Sequence, residues 1–183
     1  MSGRRSLCKK KTGCFMGKLK KISILAVLLF SGALCFANQI SFQIVQHDAT
    51  IDSVSEDSLT IEDSVLNNFF EYGYIVTNSD AAVSESEAQD EQLYKIGQGD
   101  AFNGFSDYFI QIKLFYERTE QTITKNADLY KIDFSITAVK SGKKIADKSL
   151  EDIKIDRAKK NNLNKVSLDL VKEISKALSA YKA

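Results

Sequence analysis

The run of apolar and polar positions divides this chain of 183 residues into a short series of elements. Asn38–Gln46 (NQISFQIVQ) alternates, with Ile40, Phe42 and Ile44 on one side and Gln39, Ser41 and Gln43 on the other, the period of a half-buried strand. A polar loop, His47 to Leu59, precedes a helix whose Ile61, Val65, Leu66, Phe69 and Tyr72 fall at helical spacing. Thr60 followed three residues later by Asp63 has the form of a capping box. Gly73 stands where a left-handed residue ends a helix. Tyr74–Thr77 reads as a short second strand. The acidic segment Ser79–Gly99 has two readings: a short helix capped by Ser84 with Glu87 and carrying Leu93, Tyr94 and Ile96, or a loop.

The alternation is longer from Tyr108. Tyr108, Ile110, Ile112, Leu114 and Tyr116 mark one strand, Gln121–Ala127 turns the chain, and Tyr130, Ile132, Phe134, Ile136 and Ala138 return antiparallel. Ser141-Gly142 turns into a further strand over Lys144 to Ile155. The chain closes with an amphipathic helix on Leu163, Val166, Leu170, Val171, Ile174, Leu178 and Tyr181. This order predicts an α+β fold, a mostly antiparallel four- to five-stranded sheet with two main helices packed on one face.

Ahead of the first strand, Lys18–Asn38 (KLKKISILAVLLFSGALCFAN) has the build of a cleaved export signal. Lys18, Lys20 and Lys21 lead, an apolar run begins at Ile22, and Cys35-Phe36-Ala37 offers small side chains for a cut between Ala37 and Asn38. The stretch Ile22–Phe36 covers 15 residues, fewer than the ~20 that span a bilayer. The expected organisation is a signal over residues 1–37, with Met16 as a compact start, and a single α+β domain over 38–183. Cys35 carries a second reading, as a lipidated amino-terminal cysteine, although Leu34 before it is bulkier than that pattern prefers. Lipid would hold the domain on a membrane, and this is the membrane contact the sequence suggests; cleavage after Ala37 would leave it free.

Composition sharpens the picture once residues 1–37 are set aside. Cys8, Cys14 and Cys35 all lie within them, so the remaining chain has no thiol, disulfide or cysteine metal site and depends on its hydrophobic core. From Asn38 onward 17 bases face 24 acids, a net charge of −7. Residues 38–107 hold 14 acids and one base, Lys95, whereas residues 108–183 hold 16 bases and 10 acids. That balance argues against a nucleic-acid partner, which needs a net basic face. The two halves either attract each other within one fold or present an acidic surface to a basic partner.

Candidate chemistry is sparse. His47, the single histidine, stands beside Asp48 without a nucleophile motif and reads as a surface residue. Asp48, Asp52, Glu56, Asp57, Glu62 and Asp63 form the densest acidic run. It lacks the glycine and alternate acids of a calcium loop, and reads as solvated. Gly97-Gln98-Gly99-Asp100-Ala101-Phe102 misses the third glycine of a dinucleotide fingerprint and reads as a turn. No catalytic residue, metal ligand or cofactor emerges. Phe70, off the apolar stripe of its helix, is the best candidate for an exposed contact, together with Asp48, Asp52, Glu56 and Asp57.

Asp107-Tyr-Phe-Ile-Gln-Ile-Lys-Leu, a turn, and then Tyr130 through Ala146, with Ser141-Gly-Lys in the second turn and a closing helix, resembles a recurrent pattern of envelope proteins. It is similar to the small α/β domain shared by the curli-secretion lipoprotein CsgG, the penicillin-binding-protein activator LpoB and the amino-terminal domain of TolB. The resemblance implies a non-catalytic binding or assembly part, and assigns no functional residue. The expected function is therefore an exported, non-enzymatic accessory of the bacterial envelope or periplasm, acting through contacts with a protein of basic surface. The alternatives are a periplasmic hydrolase using paired carboxylates and a small-ligand carrier.

Overall fold

Alternating apolar residues build a single sheet of five strands in the computed structural model, which describes residues 38–48, 51–117, 127–151, 153 and 162–182. Met16, Cys35, Ala37 and the turn at 121–126 lie outside them, as does the end of the expected fifth strand at Ile155. The elements are β1 (Gln39–His47), α1 (Glu56–Glu71), β2 (Ile75–Val83), α2 (Glu87–Asn103), β3 (Tyr108–Glu117), β4 (Asp128–Ala138), β5 (Lys143–Leu150) and α3 (Asn162–Lys182). The strand order is β2-β1-β3-β4-β5. The α+β class and five strands stand as expected. The pairings are mixed: β1 runs parallel to both β2 and β3, and the β3-β4-β5 meander is antiparallel.

This topology explains a third helix. The chain steps from β1 to β2 on one side, then crosses β1 to reach β3 on the other. Right-handed crossovers in opposite directions must place their helices on opposite faces. On the first face α1 and α3 cover Ile40, Phe42, Ile44, Ile110, Ile112, Ile132 and Phe134 with Ile61, Val65, Phe69, Leu170, Val171, Ile174 and Leu178. These are the two helices the apolar stripes predicted. On the second face lies α2, where a small cluster joins Ala101, Phe109 and Val139, with Tyr94 packed against it.

Four expectations change. Of the two readings of Ser79–Gly99 the helix holds, but it is longer than expected: β2 runs on to Val83, and a 17-residue helix capped by Ser86 carries Leu93, Tyr94 and Ile96. Gly97–Phe102 lies inside that helix and forms no turn. Strand β1 is not half-buried; Ser41 and Gln43 are as buried as the apolar side, since α2 covers them. Finally, α1 begins before Thr60. Ser55 is its cap and accepts from the Ser58 N–H at 3.2 Å, while the Thr60 hydroxyl donates to the Glu56 carbonyl. The cause is the fully buried Gln46 of β1. Its Oε1 accepts from the Ser55 N–H at 2.8 Å and from the Ser58 hydroxyl at 2.7 Å, tying the helix start to the sheet.

Helices α1 and α2 end in the same geometry with different residues. The Gly73 and Tyr74 N–H groups donate to Phe70 and Phe69, with Gly73 at φ 80°. At the end of α2 the Phe105 and Ser106 N–H groups donate to Phe102 and Ala101, and Phe105 holds φ 59°. Glycine enters that left-handed cap freely; phenylalanine does so against its Cβ.

Candidate functional site

The face of α2 that meets the sheet reads Asp90, Tyr94, Gly97, Ala101, one residue per turn, and it is polar at its first turn. Asp90 is buried, with 6% of its surface exposed. A buried carboxylate needs partners, and the second face supplies them. Oδ2 accepts from Lys113 Nζ of β3 at 2.5 Å. Oδ1 lies 3.1 Å from His47 Nε2 of β1, out of hydrogen-bond alignment, and neither atom has another hydrogen-bond partner. The Tyr94 hydroxyl meets Thr137 Oγ1 of β4 at 2.6 Å.

His47 is therefore not the free surface residue its sequence suggested. Its ring stacks on Phe115 with centroids 4.6 Å apart, and Lys131 sits 4.6 Å over the Phe115 ring. Burial lowers the His47 pKa; the neighbouring Asp90 carboxylate raises it by less. The imidazole is held neutral, and the charge partner of Asp90 is Lys113.

Beside this cluster, where α2 leaves β4 and β5 uncovered, a cleft of about 590 Å³ opens. Its walls carry Glu87, Asp90 and Glu91 from α2, Lys113 from β3, Asp133 from β4, and Lys144 and Asp147 from β5. Five carboxylates thus face two lysines. Asp133 pairs with Lys131 at 2.9 Å through one oxygen, and its other oxygen is buried without a hydrogen-bond partner. Among the described residues no group of histidines, cysteines and carboxylates is arranged to hold a metal ion.

The contact residues expected from the sequence separate. Asp52 and Glu56 are exposed and Asp57 is half-buried, all near the start of α1 at the end of the sheet where β1 and β3 finish. Asp48 is the correction. It is 7% exposed and has bonded neighbours, so it shapes the hollows it lines with Tyr116 and offers little to a partner. Phe70 is 74% exposed, but at the opposite end of α1. Sequence reasoning missed Asp90, Lys113 and Asp133. Their signal is positional: Lys113 and Asp133 are charges inserted into alternating strands, directly opposite each other in the β3-β4 register.

The family described as "Uncharacterised protein" matches residues 39–181. No curated protein matches the sequence. Among solved structures, TolB from Acinetobacter baumannii is similar at 13% identity and a TM-score of 0.46, over 79% of this chain and 29% of that one. The PelC dodecamer from Paraburkholderia phytofirmans gives 12% and 0.42, over 78% of this chain and 87% of that one. Lipoprotein GNA1162 from Neisseria meningitidis gives 11% and 0.40, over 76% and 99%. Likenesses of this degree carry no argument about partner or activity.

Proposed function

The chain belongs to that family, and on that premise we propose that it is an exported, non-enzymatic accessory of the bacterial envelope that binds a protein of basic surface. The observation that carries the reading is the placement of the acids. Asp52, Glu56, Asp57, Glu85, Glu87 and Glu117 all stand near the end of the sheet where β1, β2 and β3 finish, and the cleft walled by Glu87, Asp90, Glu91, Asp133 and Asp147 adjoins that end. Asp90 and Asp133 are offset by Lys113 and Lys131, so it is the exposed Glu85, Glu87 and Glu91 at the rim whose field steers a cationic partner. The apolar stretch Ile22–Phe36 supports export.

The test is cross-linking and affinity capture from intact cell envelopes, with the captured protein identified by mass spectrometry. One partner should dominate. Its association should slow as salt rises and slow further in the Glu87→Lys, Glu91→Lys double variant. Association indifferent to both salt and charge reversal refutes the acidic surface. Glu91 and the rim of the cleft are open to water, so a small cationic ligand is the second reading; calorimetry with a polyamine distinguishes it from a protein partner.

A further inference from the structure

The sheet ends in two open edges of opposite charge. Among the described residues β2 pairs only with β1 and β5 only with β4, so each edge holds backbone groups for a further strand. Neither β2 nor α1, which packs over it, contains a base. β5 carries Lys143, Lys144 and Lys148 against one acid, Asp147. Beside it Lys148 and Lys176 of α3 share the Glu173 carboxylate at 3.4 and 3.9 Å. Each edge also has apolar surface. On α1 the Ser64–Asn164 bond fixes the side toward α3 and the Glu62–Asn78 bond the side toward β2, both at 2.7 Å. Leu59, Asp63, Leu66 and Phe70 follow at helical steps on the flank beyond Glu62, away from α3. Leu59, Asp63 and Phe70 are exposed, and Asp80 adds a second exposed acid on β2. On the other edge a groove of about 350 Å³ lies between β5 and α3, lined by Ile145, Ala177, Ala180 and Tyr181, with Lys148 and Lys176 at its mouth.

We infer that copies of this chain associate head to tail, the β2 edge of one docking on the β5 edge of the next. The β2 side supplies apolar side chains with acids among them, and the β5 side supplies an apolar groove with lysines at its mouth. The strand directions agree. β4 reverses the direction of β3 and β5 reverses it again, so β5 runs parallel to β2. A copy in the same orientation therefore extends the sheet, and its α1 falls beside α3 as α1 and α3 already lie together within one domain. Each edge strand has one irregularity, at Asp80-Ala81 in β2 and at Ile145 in β5. Regular stretches remain for pairing, Ile75–Ser79 on one edge and Ala146–Leu150 on the other. Charge decides which edges meet. Pairing β5 with β5 sets lysine against lysine, and pairing β2 with β2 brings the acids together, so both like pairs are opposed. The unlike pair is heterologous, and it adds copies beyond two until the row closes on itself.

Light scattering on the exported protein, purified without any partner, tests this. The mass should rise past two copies as protein concentration increases and fall as salt is added. Asp63→Lys with Asp80→Lys gives a variant with two basic edges, and Lys148→Glu with Lys176→Glu gives one with two acidic edges. All four positions are exposed, and circular dichroism checks that both variants fold. Each variant alone should need about tenfold or more protein to assemble. An equimolar mixture should assemble again, because every contact in it joins a basic edge to an acidic one. A wild type that stays monomeric at every concentration overturns the proposal, as does a mass that stops at two copies. So does a mixture that assembles no better than either variant alone. Assembly is read on the isolated protein and partner capture on intact envelopes, so either proposal can fail alone.

Discussion

Replacing Gly97 by alanine should weaken this protein, although alanine is the better helix former. Gly97 lies in the middle of α2, on the side pressed against the sheet. A Cβ there would meet the Phe109 ring at 2.5 and 2.8 Å and Gln43 Oε1 at 3.3 Å. Phe109 is fully buried and flanked by Tyr94, with ring centroids 5.5 Å apart, so it has no free direction in which to yield. Overfilling a packed site costs about 1–3 kcal/mol, against a helix-propensity gain of ~1 kcal/mol. The net expectation is a loss of up to about 2 kcal/mol. Gly99, two residues on, has nothing within 4 Å of its Cβ position, so Gly99→Ala should gain about 0.5–1 kcal/mol from the unfolded chain alone. Urea unfolding followed by circular dichroism separates the two. With a slope of ~1–3 kcal/mol per molar, the midpoints should move in opposite directions and stand roughly 1 M apart. Phe109→Leu in the Gly97→Ala background should recover part of the loss as a coupling energy. Equal, stabilising effects of both alanines would refute the close approach of α2 to the sheet.

Phe105→Gly should stabilise the fold by about 0.5–1 kcal/mol, because relief of a left-handed side chain, about 1–2 kcal/mol, exceeds the entropy glycine adds to the unfolded chain; thermal unfolding reads it. For His47 the folded pKa lies below the ordinary 6.5, so the unfolded chain takes up the proton first as pH falls. Stability should be full above about 6.5 and decline below it, and His47→Gln should flatten the urea midpoint between pH 7.5 and 5.5. Glu62 has the opposite sign: burial in α1 raises its pKa despite the 2.7 Å bond from Asn78. Ionisation opposes folding there, so Glu62→Gln should stabilise at pH 7 and lose that advantage near pH 4. Lys113→Met should cost several kcal/mol by stranding the Asp90 carboxylate, as removing one partner of a buried pair does; Asp90→Leu added to it should restore most of the loss.

The first face was legible from the sequence because apolar side chains repeat there at period two in the strands and near 3.6 in α1 and α3. The second face was not, and the reason is chemical. There a polar strand surface (Ser41, Gln43, Gln111) is buried by a helix face of Asp90, Tyr94, Gly97 and Ala101. Neither side shows an apolar stripe, so hydropathy sees two wetted surfaces where the fold has an interface. The remaining signal was local. Ser86 caps α2 by accepting from the Gln89 N–H three residues on, and Gln89 Oε1 accepts from the N–H of Glu85, the residue before the cap, a variant of the capping box. The same blindness hid the candidate site, since Asp90, Lys113 and His47 meet only once α2 has docked. It also produced the error at Gly97–Phe102, where two glycines suggested a turn although one is required by contact with Phe109 and the other merely tolerated.

The charge asymmetry along the chain does not become a charge asymmetry between the two edges of the sheet alone. The crossover connections return the chain to the same end as α1 and α2 begin, and that end receives the acids of the loops before these two helices: Asp48 and Asp52 before α1, Glu85 before α2. Acids at helix starts are favoured by the helix dipole, and parallel strands oblige the starts of α1 and α2 to coincide. The same rule sends both helix ends, with their left-handed caps and wetted phenylalanines, to the other end. A domain built this way acquires two chemically distinct ends from ordinary capping preferences and the β1-α1-β2-α2-β3 order. What capping does not require is a phenylalanine at position 105 where glycine would hold the same turn at lower cost, and that departure is the residue most worth changing first.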